Sequence, residues 1–247
     1  MYPYIYIVIP TYGALALIGG FVALMFAYFR IDKMKIEFSV LLKAFLVGVV
    51  GLFLGSKILF AITRIPWLIN NFSIGNLILL IPTSGYVFYG GLFGFIFSIW
   101  LFTKNNPEQR EKVFRLIVPS MPLFHAFGRI GCFLSGCCYG KALSSNVRIG
   151  MFVFGRIPVQ LIEAFLELVI FVVIVLVDKK KKEVNLLSVY LIMYACVRFT
   201  LEFLRGDEIR GIFLGISTSQ WISLFIVIYY ITKKVRKRTA KDESKES

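Results

Sequence analysis

Charged side chains occupy positions where this chain is otherwise most apolar. Lys57, Arg129, Arg198 and Arg205 fall within or at the edges of long hydrophobic stretches, and so do Glu163, Glu167 and Glu202. An isolated charge at mid-bilayer depth costs about 2.5–3.5 kcal/mol, so each needs a partner. Four positive groups against three negative ones leave one positive charge over, which an anionic ligand would complete. Arg198, Glu202 and Arg205 are spaced i, i+4, i+7, and Gln160, Glu163 and Glu167 are spaced i, i+3, i+7. Each set lines one side of a helix, and the two stripes can face one cavity. A guanidinium fork suits bidentate binding of phosphate, which favours ligand binding over structural pairing for Arg129, Arg198 and Arg205. Glu167, one turn deeper than Glu163, reads as an ion pair that locks helices together.

The densest run of unusual residues spans 125–140, with Gly128, Gly131, Gly136 and Gly140 around Arg129. Glycines there let the backbone approach a ligand or break the helix. Non-helical backbone at membrane depth is tolerated only inside protein or along a wet cavity, so this segment is expected to line a headgroup pocket with Arg129 aimed into it. The same run holds Cys132, Cys137, Cys138 and His125, enough ligands for a tetrahedral zinc ion. Their spacing matches no common zinc pattern. Small cysteines packed on a helix are the simpler reading, and neither metal nor cofactor is expected. A disulfide would join Cys132 to Cys137 or Cys138, because adjacent cysteines pair only under strain.

The elements that must position these groups follow from composition. Of 247 residues, 58% are hydrophobic and 17% charged, with 28 Lys and Arg against 14 Asp and Glu; mean hydropathy is +0.78. Soluble domains are about 45–50% apolar and about one quarter charged, so a water-soluble fold is excluded. The expectation is an all-α integral membrane protein of about seven transmembrane helices, near 5–29, 38–62, 85–103, 113–134, 158–178, 186–204 and 212–232, each able to cross about 30 Å. The stretch 66–84 holds Pro66, Asn70, Asn71, Gly75, Asn76 and Pro82 and is expected outside. Nineteen of the 28 basic residues fall in three loops (Arg30 to Lys43, Lys104 to Arg115, Lys179 to Lys182) and in the tail from Lys233. The positive-inside bias then puts the N-terminus out and the C-terminus in the cytoplasm. It also accounts for the basic excess better than nucleic acid does, and no nucleic-acid partner is expected. Residues 1–232 form the polytopic domain, and 233–247 a basic cytoplasmic tail suited to anionic lipid headgroups. With no basic n-region and no small-residue cleavage site, the first apolar stretch is expected to be retained.

The segment His125 to Gly140 resembles the signature of the prolipoprotein diacylglyceryl transferases, Gly-Arg-x-Gly-Asn-Phe followed by Asn-Gly-Glu. Other similarities follow in chain order. Thr11-Tyr12-Gly13 opens the first span as in that family, Gly55-Ser56-Lys57 resembles its Gly-Gly-Arg, and Tyr89-Gly90-Gly91-Leu92 its His-Gly-Gly-Leu. Residues 158–164 are similar to Pro-Ser-Gln-Leu-Tyr-Glu-Ala, and 194–205 to Tyr-Gly-x-x-Arg-Phe-x-x-Glu-x-x-Arg. Ser219-Gln220 resembles a Gly-Gln in the last span. The resemblance covers nearly the whole chain. It implies a transferase of the bacterial plasma membrane that moves a diacylglyceryl group from phosphatidylglycerol to the lipobox cysteine thiol of a preprolipoprotein. By the same resemblance, Arg129 holds the phosphate within Gly128 and Gly131, Arg198 and Arg205 position headgroup and leaving group, and Glu202 orients those guanidinium groups. Tyr12, Lys57, Gln160 and Glu163 line the pocket.

The chain also departs from that pattern. The family histidine is Tyr89 here, and the signature Asn and Glu fall on Cys132 and Cys137. A tyrosine of pKa about 10 serves better as proton donor than as base. His125, one turn before Arg129, is either a substitute base or a hydrogen-bonded helix histidine. A cysteine nucleophile at Cys137 or Cys138 points to acyl rather than glyceryl transfer, since a glyceryl thioether is a stable dead end. Two other readings stay open: a paralogue that modifies a surface glycan or small thiol, and a non-catalytic lipid-binding protein. The outer stretch 141–157 either covers the acceptor entrance or is a solvated loop.

Overall fold

A computed structural model describes residues 4–5, 9–70, 73, 87–149, 152–181, 183–206 and 212–246. It is mostly helical. The helices are α1 (Thr11–Tyr28), the single-turn α2 (Ile31–Met34), α3 (Phe38–Asn70), α4 (Phe88–Phe102), α5 (Pro107–Ile117), α6 (Met121–Ser135), α7 (Val159–Lys180), α8 (Leu186–Glu202) and α9 (Thr218–Glu246). A 3₁₀ turn over Val118–Ser120 joins α5 to α6. Four of these segments are long and apolar enough to cross a membrane: Thr11–Tyr28, Phe38–Thr63, Pro107–Ser135 and Val159–Lys180.

Several boundaries depart from the sequence expectation. Helix α3 continues through Pro66 to Asn70 instead of ending near 62, although a proline there removes one i→i−4 hydrogen bond and crowds the carbonyl four residues back. Most of the remaining stretch, 71–86, lies outside the described residues. The last span begins at Thr218 rather than 212, because Ser217 and Gln220 form a capping box there. The Ser217 hydroxyl accepts the Gln220 N–H at 3.2 Å, and Gln220 Oε1 accepts the Ser217 N–H at 2.9 Å, each satisfying a backbone donor left open by a helix start. The stretch 141–157 is neither helix nor plain loop. Ala142–Ile149 and Phe152–Arg156 pair as an antiparallel hairpin, here β3 and β4, with a register shift between Ala142 and Val147. The two-residue strand pairs Tyr4–Ile5 with Ile9–Pro10 (β1, β2) and Ile212–Phe213 with Ile216–Ser217 (β5, β6) complete the order.

The chain divides into two compact units, one of residues 1–26 with 117–247 and the other of residues 27–116. In the second unit, α3 and α4 cross at almost bare backbone. Gly51 and Gly55 face Gly90 and Gly94, so that a methyl built on Gly55 would sit 2.9 Å from the Gly94 Cα and against the Gly90 carbonyl. Two facing small-xxx-small patterns allow this approach, which gains van der Waals contact where lipid supplies no hydrophobic drive. Lys57 stands half-buried on α3, and Tyr89 is buried on α4.

In the first unit α7 packs between α6 and α8, and α8 packs on α9. The burial pattern is inverted relative to a soluble bundle. On α7, Gln160, Glu163 and Glu167 are buried, while Phe165, Leu168, Val169, Val172 and Leu176 face outward. This is what a hydrocarbon solvent selects, since apolar side chains lose nothing there and charges must pair inside. Helix α1 joins through Gly19, whose bare Cα lies against Phe127 of α6, and through an edge-to-face contact of Phe26 with Phe171 at 5.0 Å.

Candidate functional site

Helices α6 and α8 end where α7 and α9 begin, so alternate helices bring side chains of similar depth together. Arg129 lies six residues before the end of α6 and Glu163 four residues into α7. Arg198 lies four residues before the end of α8, and Ser219 is the second residue of α9. At 1.5 Å per residue these sit about 2–9 Å below one end of the unit. The opposite end carries Lys179, Lys180 and the basic part of α9.

Glu163 is the hub. Its Oε2 accepts from the Arg129 guanidinium across the α6–α7 contact and lies 3.4 Å from Arg198 Nη1. Arg198 Nη2 reaches Glu202 Oε2 at 2.8 Å and donates to the Ser219 hydroxyl at 3.4 Å. One layer deeper, His125 Nδ1 is 2.8 Å from Glu167 Oε1, its Nε2 is 3.8 Å from Glu163 Oε1, and its ring meets Tyr194 edge-on at 5.2 Å. All seven side chains from His125 to Glu202 in this network are buried. Glu163 uses only part of each guanidinium, and the buried Arg129 Nε has no hydrogen-bond partner among the described residues. A guanidinium has five N–H donors, so both arginines keep donors for an anion.

Two sequence expectations change here. The excess positive charge included Lys57, which belongs to the other unit; among the described residues this unit buries Arg129, Arg198 and Arg205 with Glu163, Glu167, Glu202 and Asp178, three against four. Arg205 also leaves the expected helical stripe, because α8 stops at Glu202 and Arg205 forms a backbone bridge with Gly140. The expectation for Glu167 holds: it pairs with His125. His125 hydrogen-bonds with Glu167, a contact that both readings of His125 admit.

The glycines were expected to give close approach or a helix break, and the segment is helical as far as Ser135. Gly128 and Gly131 lie inside α6, and the helix ends only at Gly136, whose φ of 76° is the left-handed conformation that glycine adopts without strain. Gly131 takes the approach of Tyr12, with the Tyr12 Cα 3.3 Å from where a methyl would stand; Tyr12 itself is 45% exposed. Gly128 faces open space, with no atom within 4 Å of a methyl built there. After Gly136 the chain is tied down by backbone bonds from Gly140 to Ile157 at 3.1 Å, from Lys141 to Leu204 at 2.9 Å and from Gly206 to Tyr139 at 3.1 Å. Gln160 donates to the Cys137 carbonyl at 2.6 Å. The cysteines are not simply packed on a helix. Cys132 is buried on α6, Cys137 is exposed and Cys138 partly exposed beyond the helix end, and all four cysteines are free thiols.

Residues 3–235 match the family model described as prolipoprotein diacylglyceryl transferase. The chain belongs to that family. A phosphatidylglycerol–prolipoprotein diacylglyceryl transferase of Clostridium tetani is 35% identical over 225 residues, 88% of each chain. The transferase so named in Campylobacter lari is 35% identical over 236 residues, 88% of this chain and 85% of its own, and that of Helicobacter pylori 33% over 221 residues, 78% and 77%. As a member of the diacylglyceryl transferase family, the chain brings Arg129, Glu163, Arg198 and Glu202 into one network, with Gln160, Arg205 and Tyr12 on the segments around it. Tyr89 and Lys57 stand in the other unit. Sequence reading left Ser219 without a role, although its contact with Arg198 follows from the Ser217 to Gln220 capping box that starts α9 at that level.

Proposed function

We propose that this chain transfers the sn-1,2-diacylglyceryl group of phosphatidylglycerol to the thiol of a lipobox cysteine at the outer face of the bacterial plasma membrane. The carbon–oxygen bond to phosphate breaks, a carbon–sulfur bond forms, the thiol proton is lost and glycerol 1-phosphate leaves. The observation that carries this reading is the pair of guanidinium groups on the two helices that flank α7, Arg129 and Arg198, buried and sharing one carboxylate. The spare N–H groups of Arg129 hold the donor phosphate and stabilise its growing charge as the bond breaks, in a site that excludes water. Arg198 and Arg205 position headgroup and leaving group. Glu202 and Glu163 orient Arg198, and His125 with Glu167 braces Glu163 from below. Tyr12, Gln160, Gly128, Gly131 and Cys137 line the path of donor and acceptor. Holding donor carbon and acceptor thiol together supplies proximity.

The orientation that fits is seven crossings, with the N-terminus outside and residues 233–247 as a basic cytoplasmic anchor. The distribution of Lys and Arg supports it, and it puts the arginine network one or two turns below the outer surface, at headgroup depth.

Expression in bacteria depleted of their own diacylglyceryl transferase tests the reading, following the mass of a lipoprotein's lipobox cysteine. Gain of a diacylglyceryl group is the expected result. With membrane insertion verified, no gain but continued phosphatidylglycerol turnover favours the second reading, another acceptor, to which Tyr89, Cys132 and Cys137 point as departures from the family signature. No turnover leaves lipid binding without chemistry.

The open space beside Gly128 gives a further expected outcome. Gly128→Leu places its Cβ where nothing lies within 4 Å, so thermal stability in detergent stays within about 0.5 kcal/mol of the parent. Transfer falls about tenfold or more through a raised KM for the lipid donor, as an uncompensated loss of binding of about 1.4 kcal/mol. Unchanged KM removes Gly128 from the donor path.

A further inference from the structure

The three cysteines at the end of α6 converge. The Sγ atoms of Cys132, Cys137 and Cys138 all lie within 4.8 Å of one another. This follows from the helix ending at Gly136 and from Cys138 adopting a left-handed backbone of φ 58°, which turns the chain back over the last helical turn. The Cys137 thiol also approaches the Cys132 carbonyl at 3.6 Å, and Arg129 Nη1 lies 4.0 Å from Cys132 Sγ. We infer that Cys132, Cys137 and Cys138 form a three-thiolate site for one thiophilic cation of the zinc(II) class, with its fourth position open.

The geometry needs little adjustment. Zinc–sulfur bonds of about 2.3 Å place sulfur atoms of a tetrahedral site about 3.8 Å apart, so the thiols close by about 1 Å through side-chain rotation. Three thiolates around a divalent ion carry a net charge of −1, which the adjacent Arg129 guanidinium offsets. Convergence of all three on one point favours an ion over a disulfide, which would use two and strand the third. His125, the fourth group of the sequence-level zinc set, is turned away onto Glu167. A site with three protein ligands is open, as catalytic rather than structural zinc sites are. Cys137 is exposed, so the fourth position admits water or an incoming thiol.

The test uses the full-length protein, purified in detergent, reduced and stripped of metal, then titrated with cobalt(II) as the optical probe and displaced with zinc(II). One equivalent should bind per chain, with a strong sulfur-to-cobalt charge-transfer band that zinc(II) abolishes. Cys132→Ser, Cys137→Ser and Cys138→Ser should each weaken binding at least about 100-fold, more than an outer-shell change does, whereas Cys196→Ser should leave it intact. A small thiol added in slight excess should shift the ligand-field bands. Absence of the band in the unaltered protein, or equal loss on Cys196→Ser, overturns the site; bands unmoved by thiol overturn the open position. The titration reads metal alone, so its outcome is independent of whether the chain lipidates a prolipoprotein.

Discussion

Arg129→Ala is expected to lower diacylglyceryl transfer by a factor on the order of 10²–10³, the usual loss when a preorganised donor to developing charge is removed. Arg129 joins α6 to Glu163 on α7 and holds unused donors in a buried site. Its removal takes the partner proposed for the donor phosphate and leaves Glu163 held by Arg198 at 3.4 Å. Breaking a buried pair costs about 3–5 kcal/mol, so activity must be counted per folded molecule in the membrane. Arg129→Lys separates the two effects. It keeps the charge and most of the fold, yet an ammonium cannot serve carboxylate and phosphate with one planar fork. Stability should largely return while transfer stays about tenfold or more below the parent, a loss of roughly 1.4 kcal/mol or more. Full activity in Arg129→Lys would assign the residue a structural pairing role. The readouts are lipobox cysteine mass in depleted cells and melting of the purified protein.

The second large effect concerns the fold alone. Gly94→Val should unseat α4 from α3, because a side chain at Gly94 meets the Gly51 carbonyl and lies 2.9 Å from the Gly55 Cα. Backbone cannot yield as a flexible side chain can, so the helices must separate along the whole crossing. The expected cost is at the upper end of about 1–3 kcal/mol for overpacking, or beyond it. Gly94→Ala should show the same sign with a smaller effect. Gly13→Ala is the control, since nothing lies within 4 Å of a methyl there and alanine favours a helix interior by about 0.5–1 kcal/mol. Thermal unfolding in detergent distinguishes them; a Gly94→Val protein as stable as Gly13→Ala would mean that the crossing contributes little.

The membrane class was legible from composition, since so apolar a chain cannot present a polar surface to water. The buried arginines and glutamates were legible because a charge in hydrocarbon is costly enough to need a reason, and helical spacing alone put Gln160, Glu163 and Glu167 on one face. Sequence could not determine which charges meet. That depends on helix neighbours and on where each helix stops: Glu163 became the hub because α7 lies between α6 and α8, while Arg205 left the stripe when α8 ended three residues before it. The hairpin from Ala142 to Arg156 was hidden because its stability comes from strand pairing and from backbone bonds to Ile157 and Leu204, which no local pattern encodes. The three thiols were read as packing residues, since their spacing fits no linear metal pattern. They converge through the two left-handed residues at Gly136 and Cys138, a choice of backbone angle made where the chain is tied to its neighbours.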